Sequence, residues 1–293
     1  LALMNKMGID RRAVACALTF GLQAPYVSIS VGFGLLFHNI LKKELANNGI
    51  NTTISDISSV MWIGGASMFV GLILAILFYS KKRIYKTSKF EKAELDEIER
   101  AKSLEMTKKE WAVLAGAVVA FVVQIYTSLL PLGALLGLLV MVVFGGIEYK
   151  KVDKIMDNGL AMMGFIAFIM LVAAGYGTIL RESGGIDELV KYASLVSGGK
   201  IGGAFLMLLI GLLVTMGIGT SFGTIPILAS IYVPLCLSLG FGVPAIILLV
   251  GIAAALGDAG SPASDSTLGP TSGLNADGEH NHIYDTCVPT FVF

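Results

Sequence analysis

Apolar positions in this chain do not recur every third or fourth residue, as on an amphipathic helix, nor on every second one, as on a half-buried strand. They come in unbroken runs. The runs lie at about 13–37, 60–79, 111–130, 132–147, 159–179 and 201–218, with a divided stretch from 225 to 257. At 1.5 Å per residue, roughly 20 helical residues cross a hydrocarbon core about 30 Å thick, so the long runs predict membrane-crossing helices.

The polar intervals set the orientation. The segment 81–110, KKRIYKTSKFEKAELDEIERAKSLEMTKKE, holds ten basic and seven acidic residues and no hydrophobic run. Lys and Arg concentrate in cytoplasmic loops, which makes this a cytoplasmic charged loop, helical in part. If each intervening run crosses once, Arg11, Arg12 and EYKKVDK at 148–154 also fall inside, and NNGINTTISD at 47–56 falls outside.

Composition agrees with the pattern. Of 293 residues, 55% are hydrophobic and 14% charged, and the mean hydropathy of +0.78 is that of a membrane protein and not of a soluble domain. The lipid bilayer is the expected partner and nucleic acid is not; a homodimer is compatible with such a chain. Cys16, Cys236 and Cys287 are far apart and have no CxxC spacing, so they read as small hydrophobes and not as a disulfide framework or zinc site. No cofactor is expected. The opening LALMNKMGIDRR lacks a signal-peptide pattern, and with no initiating methionine the chain is expected to be a fragment.

Small polar residues interrupt the last apolar stretch twice, at GIGTSFGTIP (217–226) and at GDAGSPASDSTLGPTSG (257–273). From Val243 to Gly257 there are 15 residues. They make about 22 Å of helix, short of the hydrocarbon core, so if the LGFGVP turn at 239–244 marks a membrane surface, Asp258 lies inside the bilayer. A carboxylate there costs about 3 kcal/mol even on lenient insertion scales, and irregular backbone is tolerated only against protein or a water-filled cavity. Gly257, Gly260, Pro262 and Gly269 favour a broken helix with freed carbonyls, and Ser261, Ser264, Ser266 and Thr267 add hydroxyls beside Asp258 and Asp265. Carboxylate, hydroxyl and carbonyl oxygens are the ligands hard cations such as sodium take. A surface loop has the same turn-forming composition; the short helix and the second break favour the ion site. Five acidic residues and no Lys or Arg follow Lys200, which fits a cation better than an anion.

GDAGSPASDST (257–267) together with GTSFGTIP (219–226) resembles the two signature tracts in the C-terminal half of NhaC-type sodium:proton antiporters, within the wider ion-transporter superfamily. The resemblance implies an all-α polytopic membrane protein, an inverted-repeat transporter with re-entrant hairpins and broken helices, in the bacterial inner membrane. It implies sodium exchanged for protons, not an enzyme. Position by position it points to Asp258, Ser261, Asp265, Ser266 and Thr267 in one break and Thr220 and Ser221 in the other, with sodium held at these residues. Residues 1–80 are then the helices of a first repeat whose N-terminal part is missing, 81–110 the cytoplasmic loop, and 111–293 the second repeat with the ion site. Ala259 and Gly260 make the spacer after Asp258 smaller than the family pattern. Asp258 is read as the group that sodium and the proton share, and Asp265 as a second ligand or a local helix cap.

Other functions draw on the same residues. A carrier of small organic anions such as malate or lactate could use helix N-termini in place of Arg. An intramembrane aspartyl protease would pair LGD at Asp258 with YD at Asp285, but the two tracts stand in reverse order and Asp285 lies in a polar segment. His280 and His282 in DGEHNHIYD could bind a metal or sense pH, or belong to an exposed loop. Glu182 and Asp187 read as membrane-surface loop residues. Pro25, near Ser28 and Ser30, reads as a kink in the first run, and as a candidate counterpart of the C-terminal break.

Overall fold

The computed structural model describes residues 1–85, 107–127, 129–153 and 198–293, with isolated positions between 156 and 192. The apolar run predicted at 159–179 and most of the charged loop at 81–110 lie largely outside the described residues. Among the described residues every regular element is helical.

After a short α1 (Ala2–Met7), Asp10 caps α2 (Arg11–Ser28) by accepting the Arg12 N–H at 3.0 Å. The chain breaks over residues 29–32, past Pro25, and continues as α3 (Phe33–Asn47) with a 50° bend between the two helices. Helix α4 (Ile54–Phe78) starts with a capping box: Thr53 Oγ1 accepts the Asp56 N–H at 3.1 Å and the Asp56 carboxylate accepts the Thr53 N–H at 2.8 Å. Helices α5 (Lys108–Thr127) and α6 (Leu130–Val143) form a hairpin packed through small residues, with Gly116 facing Gly137 and Gly133 facing Ala120. The C-terminal part consists of α7 (Lys200–Ile218), α8 (Ser221–Ser238), α9 (Val243–Gly260) and α10 (Asp265–Leu274), then a π-helical turn (His282–Cys287) leading into α11 (Val288–Val292).

Five stretches among the described residues are long and apolar enough to cross a membrane: α4, α5, α7, α8, and α9 with α10 taken together as Val243–Leu274; the bent α2–α3 pair makes a sixth. They divide by burial. In the most apolar 18 residues of α4, α5 and α7 only 22%, 17% and 22% are buried, whereas α8 reaches 67% and Val243–Leu274 reaches 61%. The first three turn side chains such as Trp62, Phe69, Trp111, Phe121 and Phe205 outward, where lipid takes the place of a core. The last two form the centre, with α8 packed on α3 and α9 and the core running through Phe37, Leu41, Met61, Ile225, Tyr232 and Ile247.

Helix directions follow from paired residues. Lys200 donates to the Gly240 carbonyl at 2.6 Å, Thr215 to that of Ala253 at 3.1 Å, and Ser261 to that of Met216 at 2.8 Å, so α7 runs alongside α9 in the same direction and α8 runs back between their ends. Gly257 marks the closest approach: a Cβ there would stand 2.2 Å from the Leu212 carbonyl oxygen, which only a glycine permits. Helix α2 lies antiparallel to α10, with the Arg11 guanidinium on the Leu274 carbonyl at 3.0 Å and Thr19 on the Ser266 carbonyl at 2.9 Å. Arg11, Arg12, Arg83, Asp277 and Asp285 thereby gather at one end of the bundle: Arg83 donates to the Gly8 carbonyl and to Asp285, and Arg12 stacks on Tyr79.

Candidate functional site

Both predicted interruptions exist, and they touch. Helix α9 continues to Gly260, three residues past the expected stop, so Asp258 stands in the last helical turn and not beyond it. The residue that ends the helix is Pro262, whose ring excludes the helical conformation from its predecessor; Ser261 accordingly has φ −71° and ψ 128°. Gly257 and Gly260, expected to help break the helix, instead make room for neighbours inside it. The second interruption is Gly219, in the left-handed conformation at φ 75°, between α7 and α8. A Cβ on Gly219 would lie 3.2 Å from the Ala263 backbone, so the α7–α8 turn rests against the 261–264 break.

Asp258 is buried at the meeting point. Its Oδ2 accepts from the Ser221 hydroxyl at 2.6 Å, the Ser221 N–H at 3.2 Å and the Tyr26 hydroxyl at 3.0 Å, while Oδ1 takes the Ser264 hydroxyl. Tyr26 Oη and Ser221 Oγ are themselves 2.9 Å apart, so with Oδ2 they form a triangle of oxygens. Ser221 opens α8, so the positive end of that helix faces the carboxylate. The break itself is held by hydroxyls. Ser264 Oγ accepts from the Ser266 N–H at 3.1 Å and caps α10, and it lies 2.7 Å from Ser266 Oγ. Ser266 Oγ also accepts from Gln23 Nε2 at 3.0 Å. Thr267 Oγ1 reaches the carbonyls of Ser261 at 2.5 Å and Ser264 at 3.0 Å. Among the described residues, the buried side-chain nitrogens and oxygens without a partner are Arg11 Nε and Thr52 Oγ1, both away from this cluster.

Of the residues singled out from sequence, Asp258, Ser261, Ser266, Thr267 and Ser221 come together, buried, in one network. Thr220 is half-buried and contributes its carbonyl to Thr224, with no side-chain hydrogen bond to the cluster. Asp265 is exposed in the first turn of α10, the place of a residue that favours a helix N-terminus, and its side chain has no hydrogen bond to the cluster. Tyr26, Gln23, Thr19 and Ser264 were not in the predicted site. Ser264 sat in the predicted break; the other three lie more than 230 residues away in α2, and only the antiparallel packing of α2 on α10 brings them in.

The acidic surplus after Lys200 is smaller than the sequence suggests. Arg11, buried, forks onto both oxygens of Asp277, and Arg83 pairs with Asp285 at 2.9 Å. Arg11 holds the Asp277 carboxyl down at about 2, and Asp285 is also lowered, because the Asn281 N–H and Arg83 outweigh its burial. Asp285 is thus committed to Arg83, not to a second catalytic position opposite Asp258. No group of three or more metal-ligating side chains occurs among the described residues, which leaves a metal site at His280 and His282 without the ligands it needs.

The chain is 48% identical over 304 residues to a Bacillus subtilis protein named "Putative amino acid transporter YuiF", 49% over 297 residues to an uncharacterized membrane protein of Vibrio parahaemolyticus, and 46% over 301 residues to one of Haemophilus influenzae. Each match covers the whole chain and 66% of the relative, so the chain spans about two thirds of the length of these relatives. No solved structure matches it. The profile of the Na+/H+ antiporter family matches residues 17–293. With that match and its apolar helices, the chain is a multi-pass membrane protein that belongs to the Na+/H+ antiporter family.

Proposed function

We propose that the full-length protein exchanges sodium for protons, as an NhaC-type antiporter of the bacterial inner membrane, with Asp258 as the carboxylate that the two ions share. The observation that carries this reading is the oxygen triangle of Asp258 Oδ2, Tyr26 and Ser221, buried where two helix interruptions meet. The two hydroxyls supply two hydrogens for three oxygen–oxygen contacts. A proton on Asp258 supplies the third. When that proton leaves, one contact lacks a hydrogen and two oxygens face each other beside a carboxylate; a sodium ion bridging them restores the balance. Proton and sodium therefore compete for one place, and exchange follows if the carrier reorients only when occupied.

Depth supports the same reading. Val243–Leu274 is 32 residues long. At about 48 Å it matches a bilayer with its headgroups, and the 261–264 break falls about 27 Å from one end and about 15 Å from the other. Ser261, Ser264, Ser266 and Thr267 would turn lone pairs toward sodium alongside Asp258, Ser221 and Tyr26; Asp265 and Thr220 would join only after a movement of the break. Interruptions of four residues at 29–32 and 261–264, each three residues after a group of the triangle, Tyr26 and Asp258, are what two related repeats would supply. The test is sodium-driven proton movement in everted vesicles carrying the full-length protein. Asp258→Asn is expected to abolish it, and wild-type flux in that variant would remove Asp258 from the mechanism.

A second reading takes its support from the name of the Bacillus subtilis relative: the solute is an amino acid, with sodium or protons as the driving ion at the same carboxylate. Uptake of labelled amino acids, with malate and lactate beside them, separates this from plain ion exchange.

A further inference from the structure

The histidines of the DGEHNHIYD tract take no part in the Asp258 cluster, yet they connect to the break. His282 Nε2 lies 2.9 Å from the Pro262 carbonyl oxygen, inside the 261–264 interruption. Its Nδ1 is 2.8 Å from Thr271 Oγ1 on α10; Thr271 Oγ1 is 2.9 Å from Thr286 Oγ1, and that oxygen is 2.7 Å from His280 Nε2. Two imidazoles are thus joined through two hydroxyls without a gap. Thr271, Thr286 and His280 are buried, whereas Asn275, Ala276, Gly278 and Asn281 around His280 are exposed at the end of the bundle that carries Arg11 and Arg83.

Hydrogen counting gives the row two arrangements. A carbonyl only accepts, so His282 Nε2 carries a hydrogen in both. With Thr271 donating to Thr286, the single hydrogen of Thr271 is used, His282 Nδ1 must donate to Thr271, and Thr286 donates to His280 Nε2. His282 is then the imidazolium. With each hydroxyl turned the other way, His280 Nε2 donates to Thr286, Thr286 to Thr271, and Thr271 to His282 Nδ1; His282 is neutral and the extra proton sits on His280. The arrangements differ by three hops, in each of which one N–H or O–H bond breaks and one forms, moving a single proton from end to end.

We propose that His280, Thr286, Thr271 and His282 form a proton relay that carries one proton between His280, at the arginine-bearing end of the bundle, and His282 beside the 261–264 break, where the half-exposed ring gives up or takes a proton once its Nε2–H turns from the Pro262 carbonyl, a role that rests on the proton exchange assigned to Asp258. The charged groups facing His280 are Asp285 from its own segment, Asp10 and Arg11 at the start of α2, and Arg83 after α4; Cys287 Sγ lies 3.6 Å from His282 Nε2. Burial holds His280 below the ordinary histidine range, Asp285 and Asp10 working against it and Arg11 and Arg83 with it.

The test uses full-length protein with 15N-labelled histidine, the rings assigned through His280→Gln and His282→Gln. The relay is supported if the two rings titrate as a coupled pair, if Thr271→Val makes them titrate independently, and if Thr271→Ser, which keeps the hydroxyl, preserves the coupling. In vesicles, Thr271→Val and Thr286→Val should lower sodium-driven proton flux about tenfold at unchanged sodium affinity, with the Ser variants near wild type. Independent titration in the wild type, or wild-type coupling and flux in Thr271→Val, overturns the relay. Coupled rings in a wild-type protein that moves no protons with sodium support the relay and overturn the exchange reading instead.

Discussion

Ser221 gives Asp258 both its hydroxyl and its backbone N–H, and these two contacts respond differently to mutation. Ser221→Ala keeps the N–H and the start of α8 but removes one corner of the oxygen triangle. Sodium binding should weaken about tenfold, roughly 1.4 kcal/mol, with little change in thermal stability in detergent. Asp265→Asn makes the opposite case. Its carboxylate is exposed and apart from the cluster, so sodium affinity should change less than about twofold; a loss as large as that in Asp258→Asn would mean that the break rearranges to bring Asp265 in. Equal behaviour of the two serine and aspartate variants would separate Asp258 from its assigned donors.

At the scale of elements, the site depends on how closely α9 sits against α7. Because a Cβ on Gly257 would fall 2.2 Å from the Leu212 carbonyl oxygen and 2.4 Å from the Met216 nitrogen, Gly257→Val should push the helices apart and destabilise the protein by about 1–3 kcal/mol or more, lowering its melting temperature; Gly273→Ala, in open space, should not. The apolar runs made α4, α5, α7 and α8 legible in the sequence, since a crossing helix needs no partner to declare itself. The chemistry of the C-terminal break was legible too: Asp258, Ser261, Ser266 and Thr267 lie within ten residues of one another. Its boundary was less so. Glycines suggested an end at Gly257, but glycines packed between helices remain helical, and the helix stops only where Pro262 constrains Ser261. Tyr26, Gln23 and Thr19 carried no local signal, because their role comes from the antiparallel placement of α2 against α10.

Across the whole molecule, the Arg11–Asp277 pair ties the start of α2 to the segment after α10 and so holds the two halves of the site together. Asp277 sits at about 2 in the folded protein against roughly 3.9 for an unperturbed aspartate, so its contribution is complete above about pH 4 and is lost as the pH falls toward 2. Asp277→Asn should be less stable than the wild type at pH 6 and should lose this part of the acid dependence, read from melting curves in detergent; Arg11→Met, which leaves the half-buried Asp277 carboxylate with the Glu279 N–H but without its cation, should cost about 1–3 kcal/mol. The outward apolar faces of α4, α5 and α7 leave α8 and the broken α9–α10 stretch as the buried centre of a lipid-facing bundle. What this arrangement does is tested most directly by adding sodium to the purified full-length protein in weakly buffered solution and measuring the protons released. Competition at Asp258 leads to release of about one proton per sodium bound, with sodium affinity falling as the pH is lowered and no release from Asp258→Asn. Sodium binding without proton release, or the same release from Asp258→Asn, would contradict it.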